Sequence, residues 1–150
     1  MKITREQIAI ALFNLVNINP PFVSASRKFI GWENYPPSQQ PAILLTNNPK
    51  RADHADQSTA KGITKWQLHK LIWIYCQHSP DQGTVPESQL NLLVETVDDA
   101  LRPLAGYQRQ TLNGLVENCY IDGDIEQDPG WSPNDIQGVA VIPVRIVCIS

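Results

Sequence analysis

Four carboxylates at every second position are the densest group of reactive side chains in this sequence. They are Asp122, Asp124, Glu126 and Asp128. Their spacing is similar to that of a calcium-binding loop, but such a loop needs a glycine at its sixth position and a bidentate glutamate at its twelfth. Position twelve counted from Asp122 is Pro133, and the nearby glycines are Gly123 and Gly130. Calcium binding is therefore the less favoured interpretation.

A β-strand explains the same spacing in another way. Alternate side chains of a strand project from one face, so a strand over these residues would present all four carboxylates together. Four unpaired carboxylates are too costly to bury. We therefore expect this acidic face to meet either water or a basic partner.

The other candidate residues carry less specific signals. His54 lies between two aspartates in a polar segment, where a solvated histidine is a simpler interpretation than a catalytic or metal site. Cys76, Cys119 and Cys148 form no CxxC pair and lie in apolar stretches, which predicts reduced, buried thiols. The sequence has no glycine-rich phosphate loop, nucleophile elbow or zinc motif. We expect neither enzyme activity nor a cofactor.

The two halves of the chain differ in charge. Residues 1–70 carry nine basic and four acidic side chains, a net charge of +5, whereas residues 71–150 carry three basic and eleven acidic ones, a net charge of −8. The basic residues are dispersed and no aromatic residues interleave them, so a nucleic-acid surface is not indicated. The asymmetry suggests a surface that meets copies of itself, positive side to negative side. An unevenly charged, solvated surface is the alternative.

The stretch from Thr64 to Gln77 is the element that must hold these residues in place. One helical stripe is formed by Leu68, Leu71, Ile72 and Tyr75. A strand face is formed by Trp66, Leu68, Ile72, Ile74 and Cys76, and only Lys70 interrupts it. The content of β-branched and aromatic residues favours the strand. We predict one long central strand, with a helix as the alternative.

Two helices are predicted on either side of this strand. Thr4 and Gln7 form a capping box before an apolar stripe that ends at Val16, and Thr84 and Glu87 form a second one. The stripe of the second helix consists of Leu90, Leu93, Val94, Val97 and Leu101. Asp98 can pair with Arg102, and Pro103 ends the helix.

Four further strands are predicted over residues 28–32, 41–46, 112–127 and 139–149. The order is then helix, three strands, helix, two strands, an α+β fold in a single domain (residues 1–150) with two helices packed on one mostly antiparallel sheet. The polar segment 46–63 joins two strands, which predicts a long hairpin arm that adds nothing to the core. Its basic residues Lys50, Arg51 and Lys61 are candidates for contact with a neighbouring subunit or with the structure on which the subunits assemble.

Several short motifs carry a resemblance to a known family. They are Gly31-Trp32, Gln40-Pro41-Ala42, Lys65-Trp66 and the run Gln110-Thr111-Leu112-Asn113-Gly114-Leu115-Val116 followed by Cys119, Ile121, Gly123 and Ile125. Together with the order of elements, they resemble the tail terminator (tail completion) proteins of long-tailed bacteriophages.

This resemblance implies a homo-oligomeric ring, usually a hexamer, without catalytic residues. Such a ring caps the head-proximal end of the tail tube, stops its growth and offers a docking surface to the head connector. The expected partners are other copies of the chain, the tail tube protein and the head–tail connector protein. We expect DNA to pass through the ring without specific binding, and the acidic face to line the channel or a subunit interface. The expected location is the virion tail, and the host cytoplasm during assembly, without membrane contact.

Two other functions fit the same residues. A neck or connector-side adaptor of the same particle would share the ring but contact the portal. A small metal-dependent hydrolase would use the regions around His54 and Asp122.

Overall fold

The computed structural model describes residues 3–56, 64–77, 85–128 and 137–149. It contains two α-helices, α1 (Arg5–Val16) and α2 (Pro86–Leu101). The strands are β1 (Ser24–Ser26), β2 (Ala42–Asn47), β3 (His54–Ala55), β4 (Lys65–Gln77), β5 (Asn118–Ile121), β6 (Glu126–Asp128) and β7 (Gln137–Ile149). Both helices pack on one mixed sheet, so the predicted α+β fold is confirmed.

The predicted central strand is confirmed, and its helical alternative is wrong. All thirteen residues of β4 pair with β7 in an antiparallel ladder, and β2 pairs with the other side of β4. The strand order is β1-β2-β4-β7-β5, and among the described strands β1 and β2 are the one parallel pair. The β-branched and aromatic residues of β4 suit a strand that has neighbours on both sides.

One face of the sheet, here called the inner face, packs against the helices. From β4 it presents Leu68, Ile72, Ile74 and Cys76, and from β7 it presents Ala140, Ile142, Val144 and Ile146, all buried. The predicted stripe of α2 is buried against it throughout. Because these faces repeat every second residue in the strands and every three to four in the helix, the core is encoded in the sequence pattern.

The start of α1 and the ion pair at the end of α2 agree with the predictions. The capping box of α1 is formed, with Gln7 N–H donating to the Thr4 hydroxyl at 3.1 Å and Thr4 N–H donating to Gln7 Oε1 at 2.8 Å. Arg102 pairs with Asp98 at 3.2 Å. The second capping box involves Thr84, which lies outside the described residues; α2 begins after Val85 without a side-chain cap.

The strand predicted over 28–32 is wrong. The strand in this region is the shorter β1, and residues Trp32–Asn34 form a 3-10 helix instead. Phe29 and Ile30 are apolar because they cover the face of the sheet opposite the helices. The Phe29 ring lies 5.1 Å from that of Trp73, and the Tyr75 hydroxyl donates to the Ile30 carbonyl at 2.8 Å.

The continuous strand predicted over 112–127 is also wrong. Leu112, Asn113 and Gly114 all have positive φ, at 50°, 61° and 87°, which an extended strand excludes. Leu112 is nevertheless buried, so the alternation of apolar residues here reflects burial of a turn. The chain enters the sheet only at Asn118 and leaves it again over residues 122–125.

The predicted long hairpin is formed by β2 and β3 with β4, but its described part does not stand away from the domain. Residues 48–53 leave the ladder, and β3 rejoins β4 further along. Asp53 accepts a hydrogen bond from His69 N–H at 3.1 Å, and Gln67 donates to Asp56 at 2.9 Å. The segment is thus attached to the sheet by polar contacts, and only residues 57–63 lie outside the described part.

The three cysteines are reduced. Cys76 and Cys119 are buried and Cys148 is half-buried. Burial raises the pKa of Cys76 to about 11 and that of Cys119 to about 12, so both remain protonated at neutral pH.

Within the described ranges, no helix has the length and apolar character needed to cross a membrane.

Candidate functional site

The face of the sheet opposite the helices, here called the outer face, is divided into an apolar end and a polar end. At the apolar end, Tyr35 packs edge-on against Tyr75 with ring centroids 5.6 Å apart, and Ala42 and Leu44 are buried beneath. The polar end carries Arg51, His54, His69, Asp122 and Arg145, which we call the polar cluster. The two ends follow from the alternate residues of β4, which change from Trp73 and Tyr75 to Gln67 and His69.

Asp122 is the centre of the polar cluster. Its Oδ2 atom accepts from Arg51 Nη1 and from Arg145 Nη2, each at 2.7 Å. The backbone of Asp122 holds the carboxylate in place, because its N–H donates to the Pro143 carbonyl at 3.0 Å. Three segments that are distant in sequence are therefore joined by one carboxylate: the segment after β2, the end of β5, and β7.

His69 lies next to this ion pair and is 4% exposed. Its ring stacks on that of the exposed His54, with centroids 5.5 Å apart and planes 22° apart. Burial lowers the pKa of His69, and the positive charges of Arg145 and Arg51 and the neighbouring His54 lower it further, opposed by Asp122. Burial and the nearby positive charges therefore favour the neutral form of the imidazole.

The pKa of His69 predicts a pH dependence of stability. Because the folded-state pKa lies below the usual 6.5, a falling pH protonates the unfolded chain first, and the free energy of unfolding decreases as the pH falls below about 6.5. The slope is at most about 1.4 kcal/mol per pH unit for one proton. Urea unfolding between pH 7.5 and 5 should show this loss in the wild type and a smaller loss in His69→Gln. Equal slopes in the two proteins would contradict it.

The structure joins two of the predicted contact residues within one chain. Arg51, expected to meet a neighbouring subunit, is paired with Asp122, expected to belong to a free acidic face. Lys65, which belongs to the basic half of the sequence, likewise pairs with Glu117 of the acidic half at 3.4 Å. Part of the charge asymmetry of the sequence is thus balanced inside the fold and does not remain available to a neighbour.

The remaining predicted contact residues lie as follows. Lys50 is exposed in the turn after β2, and Lys61 lies outside the described residues. Asp124 is exposed between β5 and β6. Glu126 and Asp128 are exposed in β6, opposite Val141 and Val139 of β7, and so belong to the outer face. The prediction of one strand carrying all four carboxylates is wrong, because the strand is interrupted after Ile121.

The geometry also bears on cation binding. The calcium interpretation fails at Asp122, whose carboxylate is already paired with two guanidinium groups. Among the described residues, Glu95, Asp98 and Asp99 of α2 bring three carboxylates within 4.8 Å of one another, with Asp98 partly buried and the other two exposed. Arg102 contacts both aspartates, at 3.2 and 3.6 Å, so a cation is already supplied by the chain itself.

Two exposed apolar patches were not identified from the sequence. The first, the aromatic patch, consists of Phe29 and Trp32, which are 53% and 50% exposed. The second, the helix-end patch, consists of Leu104 and Tyr107, which follow α2 and are 73% and 69% exposed. The helix-end patch could have been recognised from its two large apolar residues in a loop after Pro103. The aromatic patch was missed because Phe29 was assigned to a predicted strand.

The two patches lie at opposite ends of β7. The Trp32 carbonyl accepts from Gln137 Nε2 at 3.1 Å, at the start of the strand. The loop that carries the helix-end patch is bound near the other end, because Gln110 N–H donates to Asn118, which pairs with Val147. Val147 follows Gln137 by ten residues in β7, which corresponds to roughly 33 Å.

Comparison of the sequence with protein-family models and with curated proteins gives no match. The candidate site therefore consists of surfaces defined by the structure: the polar cluster, the aromatic patch and the helix-end patch.

Proposed function

We propose that this protein is a structural component of a bacteriophage tail that forms a ring and caps the head-proximal end of the tail tube. In this role it stops tube growth and provides the surface on which the head connector docks. The observation that carries the proposal is the pair of unlike apolar patches at opposite ends of β7. The resemblance of the sequence motifs to tail terminator proteins supports the same function.

A closed ring of identical subunits requires two different surfaces on each subunit, joined head to tail. The aromatic patch and the helix-end patch meet this requirement, since they differ in residues and are bound near different ends of β7. Exposed apolar side chains are the common mark of protein contact surfaces, and tyrosine and tryptophan are enriched among the residues that dominate binding. An apolar interface should also resist salt, because screening weakens exposed ion pairs and leaves burial largely unchanged.

The exposed acids of β6 suit the wall of a DNA channel. Glu126 and Asp128 lie on the outer face, and Asp124 precedes them. Carboxylates repel the phosphates of DNA, so a wall of this kind lets the duplex pass without binding.

The head-to-tail arrangement has a sharp test in two complementary variants. The first replaces Trp32 and Phe29 by serine, and the second replaces Leu104 and Tyr107 by serine. Each variant keeps one intact patch that has no partner surface, so each should sediment as a monomer. An equimolar mixture should instead give a 1:1 dimer, because one intact patch of each kind is present. Ile10→Ser, at an exposed apolar residue of α1 outside both patches, serves as the control and should assemble as the wild type does.

Sedimentation velocity, run on free protein and on protein bound to tail tubes, distinguishes the outcomes. Homodimers of either variant would indicate a symmetric contact and contradict the head-to-tail ring. The place in the particle is tested by electron microscopy of tails assembled without the protein. Overlong tubes are expected for a terminator, whereas tubes of normal length that fail to join heads would indicate a neck adaptor.

A further inference from the structure

A cavity of about 270 Å³ lies between the first turn of α1, the end of β2 and the middle of β4. Its charged lining residues are Arg5, Glu6, Arg27, Asp53 and Lys70. Three of these side chains carry a positive charge and two a negative charge, so the lining has a net charge of +1. It lies on the other face of the sheet from the polar cluster, because Lys70 and Leu45 belong to the inner face, and Asp53 connects the two by accepting from His69 N–H.

Both carboxylates of the cavity are already neutralised. Glu6 accepts from both terminal nitrogens of Arg27, with Nη2 to Oε2 at 3.1 Å. Asp53 pairs through Oδ2 with Arg5 Nε at 3.4 Å, while its Oδ1 accepts from His69 N–H at 3.1 Å. Arg5 is further fixed by its guanidinium group, which lies 4.9 Å from the ring centre of Trp66.

Lys70 is the cavity's third cation, and it has no ion-pair contact among the described residues. Its ammonium group donates to the side-chain oxygen of the neutral Asn47. Burial lowers the pKa of Lys70 most; Asp53 and Glu6 oppose this effect, and Arg27 and Arg5 add to it. Since each carboxylate is already paired with an arginine, the partly desolvated cavity keeps one positive charge in excess, which a bound anion would balance.

We propose that this cavity binds one oxyanion group, a carboxylate or a phosphate, with Lys70 as its principal ligand. The bound group supplies the missing negative charge, and the Lys70 ammonium donates to its oxygens. The same chemistry has two sources: a free anion, or an acidic side chain such as Glu126 or Asp128 of a second copy of this chain. The site is independent of the apolar patches and adds a ligand to the proposed function.

Thermal unfolding in increasing sodium phosphate, at ionic strength held constant with sodium chloride, tests the site. An anion that binds only the folded state raises Tm in proportion to its occupancy, by a few degrees for a chain of this size. The wild type should show this rise, and Lys70→Met should not. Lys50→Met, which removes one exposed lysine, is the matched control and should respond as the wild type does.

Sedimentation of the same proteins separates the two sources of the anion. If a free anion is the ligand, Lys70→Met assembles normally and loses only the phosphate response. If the ligand is a neighbour's carboxylate, Lys70→Met and Glu126→Gln/Asp128→Asn both lose the ring, and phosphate dissociates the wild-type ring by competition. The proposal is overturned if Lys70→Met assembles normally and shows the same phosphate response as the wild type, or if phosphate affects neither Tm nor assembly. The patch variants report on the ring separately, so failure of one proposal leaves the other testable.

Discussion

Ile72→Ala is expected to lower the free energy of unfolding by about 2–5 kcal/mol. Ile72 is fully buried at the centre of β4, in register with Leu45 of β2 and Ile142 of β7. The deleted methyl and methylene groups lose their burial, and the surrounding strands cannot collapse into the cavity because both neighbours are held by backbone ladders. Ile72→Val, which removes one methyl group, should cost about 0.5–1.5 kcal/mol.

The control for this prediction is Leu92→Ala on α2. Leu92 is 69% exposed, so its truncation should change the free energy of unfolding by no more than about 0.5 kcal/mol. Urea unfolding of the isolated protein measures both. Similar losses for Ile72→Ala and Leu92→Ala would mean that Leu92 is covered, for example in an assembly, or that β4 is not the centre of the core.

Asp122→Ala is expected to lower the free energy of unfolding by about 1–2 kcal/mol, because two arginines lose their shared acceptor. The expected loss is at the lower end of the range for charged hydrogen bonds, since both arginines are partly exposed and water can solvate their guanidinium groups in the variant. A local effect should accompany it. Arg51 joins the segment 48–56 to β7 through Asp122, so the amides of that segment should exchange faster with solvent.

Asp124→Ala is the matched control for Asp122→Ala, as it removes an exposed carboxylate two residues further along the chain. It should change the free energy of unfolding by no more than about 0.5 kcal/mol. Thermal or urea unfolding together with hydrogen exchange checks both variants. Equal effects at the two positions would contradict the central role given to Asp122.

The elements with strong periodicity could be predicted from the sequence. β4, β7 and the buried stripe of α2 follow regular alternation or a regular helical stripe over many residues. The segments 28–32 and 112–117 could not be predicted in this way. Phe29 and Trp32 are about half exposed in a loop and a 3-10 helix, whereas Leu112 and Val116 are buried although they belong to no strand. Asn113, with φ of 61°, tolerates the left-handed conformation better than most residues, but the sequence alone does not show that Leu112 adopts it as well.

The candidate site could be predicted only in part. Residues carrying charge were identified, but the pairing of Arg51 with Asp122 joins positions 71 residues apart, and no local pattern reveals such a contact. Lys70 is the exception. It interrupts an otherwise apolar strand face in the sequence, and this interruption marks the place where the core opens into the charged cavity.

The edges of the sheet limit how the protein can associate. The strands that could act as templates for further strands, β4 and β7, are thirteen residues each and lie inside the sheet. At the edges stand β1 with three residues, β3 with two, β5 with four and β6 with three, the last two separated by an interruption. Short, broken edges disfavour growth by strand addition. Copies at high concentration should therefore associate through side-chain surfaces, which can close on themselves, and should not stack edge to edge into amyloid-like fibres.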